Sequence, residues 1–173
     1  MGLDITAYRQ LMAAGDVPVR KAHEVGPPPD GIVFFWVSEL KVVERQWPGG
    51  TRGLKPRDAL AHRYADSFTF RAGSYHGHAD WLSWLAKISG WGSFEQFWKR
   101  SKRKGPFCEL LEAEPGVILG PSVAKKLAQD FAAFEGQAQS MNVAEDDDDY
   151  FAKYLEWKKA CEMAADGGCL QLH

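Results

Sequence analysis

Residues 67–81 read SFTFRAGSYHGHADW, and a change of pattern inside this stretch decides how the chain folds. Polar and apolar side chains alternate from residue 67 to residue 72, which is the period of a half-buried strand. Gly73 and Ser74 interrupt the alternation, and apolar residues at spacings of four and three then predict a helix over 80–89. We therefore expect a strand that passes through a glycine-bearing turn into the amino end of a helix.

Three other stretches have the pattern of strands. Residues 3–8 alternate apolar and polar side chains, residues 32–37 are β-branched or aromatic throughout, and residues 169–173 alternate again. The first and last of these strands can pair within one sheet. Two weaker patterns are interpreted as helical, namely a short turn over 11–14 and a helix over 57–65.

Three further helices are predicted in the C-terminal half of the chain. A serine–glutamine capping box begins the helix over 93–102, and a proline at a first helical position begins the helix over 121–138. Carboxylates stand at the positive end of the helix over 148–165. Because strands and helices do not alternate regularly, the sequence predicts an α+β fold in a single domain over 1–173. Its sheet is small and antiparallel or mixed, with three to four helices packed mainly on one face.

Composition and charge restrict the class of protein. The chain has 173 residues, of which 45% are hydrophobic and 25% are charged, as in a globular protein of one domain. The 21 Lys and Arg residues against 23 Asp and Glu residues leave a formal net charge of −2. This balance excludes a generally polybasic nucleic-acid coat and disfavours nucleic acid as a partner.

Cysteine content and hydropathy indicate the cellular compartment in which the protein is expected. Three cysteines are too few and of the wrong parity for a disulfide framework, which favours a reducing environment. No apolar run reaches the roughly 18 residues that a membrane span needs, and the N-terminus does not resemble a secretory signal. We therefore expect a cytoplasmic protein without a membrane partner.

The turn between the strand and the helix is the most informative place for chemistry. Backbone N–H groups at a helix start lack intrahelical acceptors and favour an anion. Such a turn is typical of a phosphate, nucleotide or carboxylate pocket, or else of a simple capped turn in which Ser74 or Asp80 satisfies the helix start. The candidate ligand-binding residues are Arg71, Gly73, Ser74, Tyr75, His76, His78 and Asp80.

Residues 76–80 also spell H-x-H-x-D, which is similar to the beginning of the metallo-β-lactamase signature. Two imidazoles and a carboxylate this close together can bind a transition metal. That signature continues with a histidine where this chain has Trp81, and His23, His62 and His173 are the remaining histidines. We predict no metal and no cofactor, with a partial site closed by His173 or a distant acid as the alternative.

Two charge runs have more than one interpretation. The basic run follows the aromatic residues of the helix over 93–102, and it comprises Lys99, Arg100, Lys102, Arg103 and Lys104. Basic residues beside aromatic ones suit single-stranded nucleic acid, whereas an amphipathic helix with its aromatics in the core and its charges in solvent is the alternative. The acidic run over 145–149 can meet the basic run, mimic phosphate, or cap a helix.

Known catalytic motifs are absent from the sequence. It contains no nucleophile elbow, P-loop or dinucleotide-binding fingerprint. Cys108 has no histidine near it in sequence, which favours a buried structural thiol. The sequence therefore assigns no catalytic residue.

Four stretches together resemble an uncharacterised family of small proteins encoded by bacteriophages and prophages. They are MGLDI at 1–5, FRAGSY at 70–75, ILGP at 118–121 followed by LAQDF at 127–131, and AADGGC from 164 onward to His173. The resemblance covers most of the chain and implies a bacterial or phage cytoplasmic setting, but it carries over no activity. The relatives lack paired histidines after the FRAGSY stretch, which disfavours a metal at His76 and His78.

Three functions follow from these patterns. The first is a non-enzymatic accessory protein that binds a host protein or a small anionic ligand, including a role in counter-defence. The second is a small enzyme or a nucleotide- or anion-binding protein that uses residues 71–80. The third is nucleic-acid binding through the basic run over 99–104.

Overall fold

A computed structural model describes residues 2–21, 26–40, 43, 48–145 and 148–173. The strands are β1 (Gly2–Arg9), β2 (Met12–Ala13), β3 (Arg20–Lys21), β4 (Ile32–Trp36), β5 (Asp58–Arg63), β6 (Asp66–Ser74), β7 (Ile118–Leu119) and β8 (Cys169–Leu172). The helices are α1 (Tyr75–Ile88), α2 (Phe94–Lys99), α3 (Cys108–Leu111), α4 (Pro121–Glu145) and α5 (Asp148–Ala165). About 41% of the chain is helical and 24% is strand, which confirms the predicted α+β class.

β1 lies inside the first sheet, whose strand order is β6-β1-β8-β7. Ile5 stands opposite Phe70 on β6 and opposite Leu172 on β8, and both pairings are antiparallel. The strands predicted over 3–8, 67–72 and 169–173 are thereby confirmed, and the first and last of them do pair.

One face of the first sheet is covered by the helices, whereas the other face is covered near Tyr8 and Cys169 and is exposed along β6, at Ser67, Thr69 and Arg71. The alternation along each strand decides on which face a side chain lies. Ile5 and Ala7 belong to the larger core cluster, together with the helices. Tyr8 and Cys169 stand opposite each other and belong to a smaller cluster with Phe35 of β4. The part of the first sheet near Tyr8 and Cys169 therefore lies between the helices and a second sheet.

The second sheet has the order β2-β5-β3, with β4 also paired to β5. The helix predicted over 57–65 is wrong, because β4 pairs along β5 from Trp36 opposite Ala59 to Ile32 opposite Arg63. This long-range pairing outweighs the helix preference of the alanines in that segment. The helical turn predicted over 11–14 is wrong for the same reason, since β2 pairs with the end of β5.

The helices differ from prediction mainly at their ends. α1 begins at Tyr75 rather than at residue 80, because the Ser74 hydroxyl accepts a hydrogen bond from Gly77 N at 3.1 Å and starts the helix early. α2 ends at Lys99 rather than at residue 102, and α4 continues to residue 145 rather than 138. α5 has the predicted bounds.

Aromatic contacts hold the helices to each other and to the first sheet. The rings of Trp81 and Trp157 stack with centroids 5.7 Å apart and 11° between their planes. The Tyr154 hydroxyl donates to the Phe131 carbonyl oxygen at 2.5 Å, which joins α5 to α4 inside the core. Within the described part of the chain, no helix combines the length and apolar character that crossing a bilayer requires.

Gly168 sets how closely the turn after α5 approaches β1. A Cβ atom at this position would overlap the carbonyl oxygen of Tyr8, so any larger residue would push the two segments apart. Beside it, the backbone N–H groups of Gln10 and Leu11 donate to the carbonyl oxygens of Asp166 and Gly167 at 2.9 and 3.0 Å. The close approach therefore fixes where β8 enters the sheet.

Candidate functional site

β6 ends at Ser74 and α1 begins at Tyr75, so a strand does pass through the Gly73–Ser74 turn into a helix whose first residues are exposed to solvent. Gly73 has a φ of +117°, a region that glycine tolerates and other residues avoid. Ser74 caps the helix, Tyr75 is exposed, and the His76 side chain is 92% exposed. Ser74 therefore caps the helix, as the capped-turn interpretation expects, and the exposed side chains of Tyr75 and His76 leave this helix start accessible to solvent.

Arg71 lies on the strand before this turn and is engaged with Asp4 of β1. Its guanidinium nitrogen is 3.3 Å from the Asp4 carboxylate, and both side chains are largely exposed. An exposed ion pair of this kind contributes little to stability, about 0 to 1 kcal/mol. It does, however, balance the charge of Arg71, which weakens the case for Arg71 as an anion ligand.

His76 and His78 of the H-x-H-x-D motif lie in different environments. His78 is 8% exposed, and its ring stacks on Trp81 and Trp157 with centroids 5.8 and 6.0 Å away. Its Nδ1 atom is buried without a hydrogen-bond partner. Burial and then the nearby Lys153 lower the pKa of His78 to about 4, so the imidazole is neutral at physiological pH.

His76 lies in solvent on the same helix and approaches Asp80, with Nε2 3.6 Å from the carboxylate. His78 is therefore a core residue, whereas His76 and Asp80 form a surface pair. Across the described residues, no group of three His, Cys, Asp or Glu side chains is placed to hold a metal ion.

Lys153 of α5 is a residue that sequence reasoning missed at this site. Its ammonium nitrogen lies 3.4 Å from where a Cβ atom on Gly73 would stand. The side chain is half-buried and forms no ion pair within the described part of the chain. No sequence pattern links α5 to this turn, because the two meet only through the packing of α5 on β6.

The basic run divides into paired and unpaired charges. Lys99 pairs with Glu95 at 2.6 Å, and Arg103 pairs with Glu112 at 2.5 Å. The remaining members, Arg100, Lys102 and Lys104, are exposed and form no ion pair with a described residue.

The aromatic side chains before the basic run are not all in the core. Phe97 is fully buried, but Trp98 is 44% exposed, which differs from an amphipathic helix with all its aromatic residues in the core. The Arg103 guanidinium lies over the Trp98 ring, 4.9 Å from its centroid. The acidic run lies partly outside the described residues, and its role stays a prediction; Asp149 is exposed in the first turn of α5.

All three cysteines are buried and free. Burial raises the pKa of the Cys108, Cys161 and Cys169 thiols above its ordinary value, so each stays protonated near neutral pH. A thiol of this kind is a poor nucleophile. This supports the structural interpretation of Cys108.

A cavity of about 410 Å³ lies beside β5, at a place that the sequence analysis did not identify. β2 pairs with one end of β5 and β3 with the other, and residues 14–19 connect these two short strands across the middle of β5. The described lining residues lie within 13–19, 48–51 and 60–62, together with Leu40, and Asp16 is not among them. No sequence signal marks such a cavity, because loops from three parts of the chain form it.

The cavity wall carries no charged side chain among its described residues. His62 lies in this wall, with its ring 5.4 Å from that of Phe35. Burial lowers the pKa of His62 to about 4, so this imidazole is also neutral at physiological pH. Thr51 supplies a hydroxyl, and most of the other lining groups are aliphatic.

No protein-family model, no curated protein and no solved structure matches this chain.

Proposed function

We propose that this protein is a non-enzymatic binding protein that takes a small, uncharged and mostly apolar molecule into the cavity beside β5. The observation that carries the proposal is the cavity itself, with its volume of about 410 Å³. Small-molecule sites commonly occupy about 300–1,000 Å³ and have apolar walls with few polar groups. This cavity has both properties.

The lining supports an uncharged ligand rather than the anionic one expected from the sequence. A buried charge needs a counter-charge or several hydrogen bonds, since its transfer out of water is otherwise costly. The described lining offers a neutral imidazole and one hydroxyl and no ammonium, guanidinium or carboxylate group. An apolar molecule with at most one polar group fits these walls.

The test is a fluorescence titration with N-phenylnaphthylamine, a neutral probe whose emission rises in apolar surroundings. Val17→Trp places an indole at the cavity wall, and we expect it to abolish the rise. Val143→Trp makes the same change on α4, at a residue that is 77% exposed, and should leave the titration unchanged. Equal binding by both variants would contradict the proposal, as would tighter binding of the anionic probe anilinonaphthalene sulfonate.

The proposed setting is the cytoplasm of a bacterium or of a phage-infected cell, where the protein acts as an accessory factor, including in counter-defence. This part of the proposal is supported by the sequence resemblance to phage and prophage proteins. A host protein as the partner rests on the same resemblance. Capture from a bacterial lysate with the wild type and the Val17→Trp variant would separate a protein partner from a cavity ligand.

Anion binding at the start of α1 is the second candidate function, and the position of Lys153 favours it. The half-buried ammonium lies beside Gly73 at the positive end of the α1 dipole, a combination that attracts a phosphate or carboxylate. A ligand at about 100 times its Kd stabilises a protein by roughly 2.7 kcal/mol.

Thermal unfolding with inorganic phosphate and with a nucleoside triphosphate tests this second function. The wild type should be stabilised, whereas Lys153→Gln should not respond. Lys125→Gln removes an exposed lysine of α4 and is the matched control, which should respond like the wild type. Equal stabilisation of all three proteins would rule out a site at Lys153.

A further inference from the structure

Trp98 is exposed where a purely structural aromatic residue would be covered. It lies near the end of α2, and the rings of Phe94 and Phe97 contact it edge-on with centroids 6.1 and 5.7 Å away. Arg103 lies over the indole and is held there by Glu112 and by the carbonyl oxygen of Arg100 at 3.2 Å. The indole is therefore held in a fixed orientation, and 44% of the residue remains accessible.

The chain segment after α2 is folded back against this aromatic group. Arg100 lies over the ring of Trp91, 5.0 Å from its centroid, and the Trp91 indole donates to the Pro106 carbonyl oxygen at 2.8 Å. Arg100, Lys102 and Lys104 are exposed and follow Trp98 within six residues of the chain. The basic–aromatic surface is defined here as Trp98, Arg100, Lys102, Arg103 and Lys104.

The geometry points to single-stranded nucleic acid as the occupant of the basic–aromatic surface. Its backbone phosphates complement the three unpaired cations, and its unstacked bases can lie on an exposed indole. Duplex bases are already stacked on each other and cannot use the indole in this way. The proposal is independent of the cavity, which lies beside β5 and whose described lining residues carry no charge.

The first experiment measures binding of a fluorescein-labelled oligo(dT) of about 16 nucleotides by anisotropy, a length that covers the upper site size of a single-strand binding module. If three phosphates are neutralised, log K against log salt has a slope of about −2 between about 50 and 200 mM salt. No binding at the lower salt concentration, or binding that does not fall with salt, would overturn the proposal.

Two matched triple variants locate the contact. Arg100→Gln with Lys102→Gln and Lys104→Gln removes the unpaired cations, and we expect a slope that is shallower by about 2. Arg52→Gln with Lys55→Gln and Arg57→Gln removes the same charge from exposed residues with no exposed aromatic among them. An equal loss of binding in both variants would show that overall charge, and not this surface, attracts the oligonucleotide.

The stacking contact has its own control, because Trp36 is exposed to a similar extent, at 37%. Trp98→Ala should weaken oligo(dT) binding at least about fivefold, whereas Trp36→Ala should not. Trp98→Phe keeps an aromatic face and should restore part of the affinity, which excludes misfolding as the cause. Equal affinity for a duplex of the same length, or no loss in Trp98→Ala, would contradict binding by base stacking.

Discussion

At the scale of single residues, Gly168 shows how one missing side chain determines where a strand can lie. The turn after α5 approaches β1 so closely that a Cβ atom would overlap the Tyr8 carbonyl oxygen. The obstacle is backbone, which cannot rotate away as a side chain can. The position therefore tolerates no side chain without moving β8.

We expect Gly168→Ala to lower the free energy of unfolding by about 2 to 4 kcal/mol, because the turn and β1 must separate. Gly136→Ala is the control, since this exposed helical glycine of α4 has open space around it. That change should be neutral or stabilise by up to about 1 kcal/mol. Urea denaturation of the two variants checks both values, and similar stabilities would refute the proposed clash.

His78 makes stability depend on pH. Its pKa is about 4 in the folded protein against 6.5 for an ordinary histidine, so the unfolded chain binds more protons between these values. The contribution of His78 to the free energy of unfolding is fully present above about pH 6.5 and is lost as the pH falls towards 4. The total change is on the order of 3 kcal/mol.

His78→Phe keeps a ring between Trp81 and Trp157 but removes the titrating group. We expect the free energy of unfolding of this variant to fall less steeply than that of the wild type between about pH 6.5 and 4. The difference isolates His78 from His62, which titrates in the same direction. Parallel pH profiles for the two proteins would show that His78 is not the cause.

At the scale of elements, strands and helices with their own pattern could be predicted, and those that depend on distant partners could not. The strand over 67–72 alternates cleanly, and the helix over 148–165 has acidic residues at its start, so both were predictable. The sequence predicts a helix where β5 lies, because these residues become extended only through pairing with β4, which is distant in sequence.

The early start of α1 depends on one cap, and its removal should be measurable. Ser74→Ala deletes the acceptor of the Gly77 N–H, and we expect a loss of about 1 kcal/mol. Ser122→Ala is the control, because this exposed serine in the first turn of α4 has no side-chain hydrogen bond with a described residue. Equal stability of the two variants by chemical denaturation would contradict the cap assignment.

At the scale of the whole molecule, the two sheets share a core, with the rings of Tyr8 and Phe35 in edge contact at 5.8 Å. We therefore expect a single cooperative transition on heating, the same by far-ultraviolet circular dichroism and by tryptophan fluorescence. Phe35→Ala should lower the midpoint by both methods, since a buried phenyl contributes about 3 to 5 kcal/mol. A separate transition for either sheet would contradict the predicted single domain.

The candidate sites also differ in whether they lie within one short stretch of sequence or are formed by segments that are distant in sequence. The open start of α1 and the basic run could be predicted, because each is contained in a short stretch of sequence. The position of Lys153 beside Gly73 could not be predicted, because it results from the packing of α5 on β6. The cavity could not be predicted either, because it forms only when loops from three regions meet beside β5. The burial of His78 could not be predicted either, because Trp157 is distant in sequence.

The position of β1 between β6 and β8 has a consequence for synthesis on the ribosome. β1 is translated before both of its neighbours and gains the second of them only when residues 169–172 emerge, so a nascent chain presents one side of β1 without a partner. An unpaired strand edge is a template for pairing with other chains. Premature termination before residue 169 would thus leave an aggregation-prone fragment even though the described strands β1 to β7 have been made.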